Sequence, residues 1–170
     1  MKKLILLSLL FMTSMIASAQ SYNFYSNEGM IYWQMVYEAD VDIISMLTNS
    51  GKFDQINKAP GIVSAQLTPN KVNLNGRRNG SVPIYISQSN MSGFVRIQQK
   101  DGRYRVTVDQ IVFSNNNSSL GQIGEETPLE TYALKRDGSF KPIFLSTAAE
   151  ILDEALTETF RPQEDLGDDW

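Results

Sequence analysis

The 170-residue chain contains no cysteine and no histidine. Without cysteine it has no disulfide framework, no thiolate nucleophile and no thiolate metal site, and a lipoprotein anchor on a cysteine behind an export signal is excluded. Without histidine it lacks the usual general acid–base of neutral pH and the commonest metal ligand. Neither GxGxxG nor GxxxxGK[ST] occurs, and no serine sits in a G-x-S-x-G elbow. After the first twenty residues no apolar run is long enough to cross a bilayer. These absences leave carboxylate chemistry, or binding without catalysis.

The N-terminal segment MKKLILLSLLFMTSMIASAQ has the layout of a secretory signal. Lys2 and Lys3 form the positive start, Leu4 to Met12 the short apolar core, and Ala17-Ser18-Ala19 the small-x-small cleavage site. The pattern predicts a signal peptide over residues 1–19, cut between Ala19 and Gln20, and an exported protein that is periplasmic or extracellular and not a lipoprotein. Residues 20–162 read as a single domain and residues 163–170 as an acidic tail. A mature chain of about 150 residues is long enough to bury a core. Without Lys2 and Lys3, 13 basic residues stand against 19 acidic ones, a formal charge of −6. The distribution is uneven. Glu150 to Trp170 holds eight acids and one base, whereas Lys71 to Arg105 holds seven bases and one acid.

Ser21 to Gly29 reads as a lead-in without period, and MIYWQMVYEAD as a strand with Ile31, Trp33, Met35 and Tyr37 on one face. Asp40 is placed to cap a short helix, VDIISMLTNS, that ends at Gly51. Lys52 to Pro60 reads as irregular. IVSAQLTP, KVNLN and VPIYIS read as short strands, with NGRRNG (Asn75 to Gly80) an exposed hairpin tip.

FVRIQQKDGRYRVTVDQIVF is the best-patterned stretch. Asp101-Gly102 signals a two-residue type I′ turn, which pairs Lys100 with Arg103 and Val95 with Val108. Alternation then places Val95, Ile97, Tyr104, Val106 and Val108 on the core face and Arg96, Gln98, Lys100, Arg103, Arg105 and Thr107 on the other. Unbroken pairing would put Ile111 and Phe113 on the polar face. A β-bulge near Asp109-Gln110 would restore them to the core, and is the favoured reading; the alternative is a second element covering the polar face there.

Ser114 to Thr127 reads as a polar loop and LETYALK as a short strand. LSTAAEILDEALTETF is the strongest helix, with Thr147 and Glu150 as a capping box. Ala148, Ile151, Leu152, Ala155, Leu156 and Phe160 line its apolar side, and Glu150, Glu154 and Glu158 its solvated side.

IYWQMVYE, KDGRYRVTVDQIVF and the final helix together resemble a family of domains of unknown function, widespread in secreted proteins of Bacteroidetes and described as having a TATA-binding-protein-like (TBP-like) fold. The resemblance covers most of the mature chain, and its sharpest piece is the hairpin Lys100 to Tyr104. It implies an α+β fold: a single antiparallel sheet with two helices packed on one face, in β-α-β(n)-α order. It implies no catalytic residues.

The carboxylates at Asp40/Asp42, Glu125/Glu126 and Glu150 to Glu158 are the remaining catalytic candidates, and two of them flanking a cleft can hydrolyse a glycosidic bond. Each set has a plainer role as helix cap, loop or solvated face. No EF-hand spacing points to calcium, and no cofactor or metal is expected. The basic face of Arg96, Lys100, Arg103 and Arg105 is the candidate binding site, for an envelope protein or an acidic glycan. Lys100 opposite Arg103 calls for a nearby acid, for which the acidic C-terminal helix or tail is the candidate. Nucleic acid is not an expected partner of an exported, net-negative chain. The expected function is an exported, non-catalytic binding module. The other readings are a carrier of an apolar ligand held between sheet and C-terminal helix, and a carboxylate glycan hydrolase.

Overall fold

A computed structural model describes residues 22–77, 82–116 and 122–162. The signal segment and the acidic tail lie outside the described residues, as does part of the 114–127 loop. Seven strands form one antiparallel sheet in the order β1-β2-β6-β5-β4-β3, with β7 added on β6. They are β1 (Phe24–Asn27), β2 (Met30–Tyr37), β3 (Phe53–Ala59), β4 (Ile62–Lys71), β5 (Ser89–Lys100), β6 (Arg103–Asn115) and β7 (Glu126–Pro128). Helix α1 (Ile43–Ser50) lies between β2 and β3, the one-turn helices α2 (Ile84–Ser87) and α3 (Leu129–Ala133) precede β5 and follow β7, and α4 (Ala149–Phe160) follows a π-helical turn, Phe144–Ala148. Buried residues from the four helices join one core with those of a single sheet face, so the fold is α+β with helices on one side.

The hairpin register is as the turn signal predicts. Lys100 pairs with Arg103, Ile97 with Val106 and Val95 with Val108. Asp101 and Gly102 both have positive φ, 53° and 73°, as a type I′ turn requires. The predicted bulge is present as well. Phe94 pairs with Asp109 and Ser92 with Val112, so Gly93 faces two residues, Gln110 and Ile111. Gln110 takes φ 50° and absorbs the extra residue. Ile111 and Phe113 therefore return to the buried face. A Cβ on Gly93 would stand 3.1 Å from Val108 Cγ1 and 3.3 Å from the Asp109 carbonyl, so the strand opposite the bulge needs glycine.

Several local expectations are corrected. The lead-in contains β1, which pairs with β2 from Phe24↔Trp33 to Asn27↔Met30. Asp42, not Asp40, caps α1: its carboxylate accepts from the Ile44 N–H at 3.0 Å and the Ser45 hydroxyl at 2.7 Å. Asp40 instead accepts from Gln99 Nε2. Residues 53–59 are not irregular but an edge strand, broken by a bulge at Gln55. Its polar sequence hides it, because an edge strand buries little. VPIYIS and LETYALK form the helical turns α2 and α3, each entered from a proline, Pro83 and Pro128. KVNLN contributes only Lys71 to a strand. The capping box is absent: helical backbone continues upstream of Thr147 through the π-helical turn, and Ala148 is itself helical.

Three side chains of the sheet fasten α4. The Trp33 indole N–H donates to Asp153 Oδ1 at 2.6 Å. The Tyr37 hydroxyl donates to the Thr157 carbonyl at 2.9 Å and the Tyr104 hydroxyl to the Phe160 carbonyl at 2.6 Å. The last carbonyls of a helix have no partner within it, and the two phenols supply partners for two of them. The Tyr37 and Tyr104 rings stack at 4.9 Å.

Two predictions follow from this packing. Gly93→Ala crowds Val108 and the Asp109 carbonyl, and chemical denaturation should show a loss of about 1–3 kcal/mol. Burial pushes the Tyr104 phenol up to about 12, and that of Tyr37 higher still. A phenol whose folded value exceeds the ordinary ~10 contributes stability that is whole below that pH and is lost as pH rises through the folded value. The melting midpoint should therefore fall steeply between about pH 10 and 12, and less steeply in Tyr104→Phe.

Candidate functional site

The sheet face away from the helices carries the alternate residues of every central strand. Tyr32, Gln34 and Val36 of β2 lie on it, beside Arg103, Arg105 and Thr107 of β6 and Phe94, Arg96, Gln98 and Lys100 of β5. At the far edge, Tyr25 stacks on Tyr32 with ring centroids 5.1 Å apart. No helix among the described residues packs on this face.

The structure divides the predicted basic residues in two. Lys100, Arg103 and Arg105 come together in one groove with Val36, Gln98 and Gln99, of about 470 Å³. The hairpin turn supplies two of them from facing positions, and strand alternation supplies the third. Their counter-acids are loose. Arg103 Nη1 lies 3.9 Å from Glu38 Oε1, and Lys100 Nζ 3.8 Å from Asp101 Oδ2, all on exposed side chains. Such pairs are worth at most about 1 kcal/mol each, so the cations remain available. Arg105 donates to the Gln98 side-chain oxygen at 2.5 Å. The acid near the Lys100–Arg103 pair is thus Glu38 and Asp101, not the C-terminal helix, whose acids lie on the other side of the sheet.

Arg96 stands apart. Its guanidinium bonds the Asp109 carboxylate, whose side chain is only 5% exposed, while Arg96 itself remains 41% exposed. A buried carboxylate without a partner is costly, so this arginine is committed to the bulge. Its Nε is buried and has no partner.

The candidate catalytic carboxylates along α4 are also engaged. Glu150 and Glu154 both accept from Arg77 Nη2, at 2.8 and 2.9 Å, and the two carboxylates hold that guanidinium charged and above its ordinary pKa. Glu158 accepts from Arg161 at 2.6 Å. Asp153 takes Trp33 and the Asn23 side chain, the latter at 2.9 Å. Asp153, Glu154 and Glu158 line a groove of about 680 Å³ along α4 with Arg77 and Arg161, and each of these acids has a donor or a cation beside it. Hydrogen bonds from Ser45, and from Ser139, hold Asp42 and Asp137 below the usual carboxylate range. Among the described residues no group of three or more acidic side chains is placed to hold a metal ion. Arg77 was read as part of an exposed tip, and its tie to α4 had no signal in the sequence beyond opposite charge. The space between sheet and α4, where the carrier reading puts its ligand, is occupied by Trp33, Phe53 and Phe160, with Phe160 5.9 and 5.4 Å from the other two ring centroids. No described helix is long and apolar enough to cross a membrane.

No family model matches the chain, and no curated protein matches it. Two solved structures are similar. One is a TBP-like protein from Parabacteroides distasonis, 14% identical, with a TM-score of 0.44 over 79% of this chain and 92% of that one. The other is a DUF4468 family protein from Bacteroides ovatus, 11% identical, with a TM-score of 0.50 over 81% of this chain and 86% of that one. The fold statement rests on the second. That Bacteroides protein of a DUF family shares the single-sheet α+β fold, in line with the resemblance read from the sequence.

Proposed function

We propose that the chain is an exported, non-catalytic binding module, and that Lys100, Arg103 and Arg105 hold an acidic group of its partner in the cell envelope, a protein or an acidic glycan. The observation that carries this reading is the convergence of three cations in one groove with only loose, exposed counter-acids. Like charges repel across a facing pair such as Lys100 and Arg103, and an acidic group placed among them relieves that repulsion. The signal-like N-terminus supports export. The lack of histidine and cysteine, and the engagement of the acids along α4, support binding without catalysis.

Charge reversal tests the groove. Arg103→Glu with Arg105→Glu should weaken retention on an immobilised acidic polysaccharide, polygalacturonate, or on acidic envelope protein, by about tenfold or more, corresponding to about 1.4 kcal/mol. Retention of the wild-type chain should fall with added salt. Equal retention of variant and wild type on every acidic matrix would remove the groove from the account.

A further inference from the structure

A second cleft lies at the opposite end of the sheet, on the helix side, with a volume of about 420 Å³. Ligand pockets commonly begin near about 300 Å³. Its wall is aromatic. Helix α2 carries Tyr85 and helix α3 carries Tyr132, and the two rings lie parallel within 2° with centroids 3.9 Å apart. Both stand edge-on to Phe113 of β6, at 5.1 and 6.2 Å. The ring pair is tighter than the ~4.5–7 Å at which aromatic pairs usually settle, so the two helix turns and Phe113 hold it in place. Burial keeps the Tyr85 phenol protonated well beyond the ordinary range.

Asn115 Nδ2 in the polar lining donates to the Gln122 carbonyl, but other polar groups there have no partner among the described residues. Ser89 is only 4% exposed, yet its hydroxyl forms no hydrogen bond with any described residue. A ligand hydroxyl in the cleft can supply the missing partner. The Thr127 hydroxyl and the Glu125 carboxylate line the same cleft and are likewise without a partner among the described residues. Glu125 is the one charged side chain in that lining, which disfavours an anion. Its carboxylate is exposed, so its attraction for a cation is weak. What the lining offers is the hydroxyls of Ser89 and Thr127 and one carboxylate beside an apolar wall. A sugar ring has the matching surface, with C–H groups on its face and hydroxyls around its edge.

We propose that this cleft binds a neutral sugar ring, its face against the tyrosine wall and its hydroxyls bonded to Ser89, Thr127 and Glu125. This site is independent of the basic groove. The test is a titration of the mature chain followed by backbone amide resonances, with glucose, galactose, mannose and N-acetylglucosamine as neutral probes, galacturonate as an anion and choline as a cation. At least one neutral sugar should shift the Ser89, Asn115 and Thr127 amides at millimolar concentration. Ser89→Ala and Tyr132→Ala should each weaken that binding about fivefold or more, while the Arg103→Glu, Arg105→Glu variant should bind unchanged. Galacturonate should bind less well than galactose, and Glu125→Gln should narrow the gap. Absence of shifts with all four neutral sugars overturns the proposal. So does a response to choline alone, or wild-type affinity in a folded Ser89→Ala variant.

Discussion

Strand β6 must bury side chains on one face over thirteen residues, and unbroken alternation cannot do this with its sequence. Val106 and Val108 are buried at even positions, Ile111 and Phe113 at odd ones. The one-residue bulge at Gln110 reconciles the two halves, and the rest of the sheet is arranged around it. A Cβ on Gly93 opposite would crowd Val108 and the Asp109 carbonyl. Pairing of β2 with β6 stops before the bulge, and β7 pairs only beyond it. The N–H of Ile31, at the end of that ladder, is taken by Glu130 Oε1 of α3 at 2.9 Å. Asp109 is buried at the bulge itself and needs Arg96. One extra residue thus separates the stretch of β6 that pairs with β2 from the stretch that pairs with β7.

The same device separates the two candidate sites. Before the bulge, the hairpin end of β5 and β6 presents its polar face outward and gathers Lys100, Arg103 and Arg105. Beyond it, Phe113 faces the helix side and supports the tyrosines of α2 and α3. Between the two ends α4 is held firmly, since Trp33, Tyr37 and Tyr104 each spend their polar atom on it. Aromatic residues of the core face therefore provide both apolar area and directed hydrogen bonds, which fixes helix position more narrowly than burial alone.

The sequence carried the central hairpin in full, because an Asp-Gly turn fixes register and alternation then sorts each side chain. It also carried the bulge, as a failure of that alternation, and the apolar stripe of α4. It misplaced elements whose identity is set by tertiary contact. Residues 53–59 are polar because they form an edge. The β-branched and aromatic content of VPIYIS argued for a strand, yet Pro83 and the packing of Ile86 and Tyr85 make one helical turn there. Of the candidate site, the type and face of the basic residues were legible. Their division was not, because the burial of Asp109, which commits Arg96 to it, had no signal in the sequence. The tyrosine cleft had no sequence signal, since Tyr85 and Tyr132 are brought together only by the fold.

The central claim is that Gln110 sits in a left-handed bulge rather than in a regular strand, and glycine at that position separates the two cases by sign. In a regular strand Gln110→Gly costs about 0.5–1 kcal/mol, whereas at φ 50° it relieves a conformation that side chains disfavour. The measurement is the denaturation midpoint of Gln110→Gly against wild type. The account predicts a midpoint equal to or above that of wild type. A clear fall, of the size expected for glycine in a strand, would contradict it.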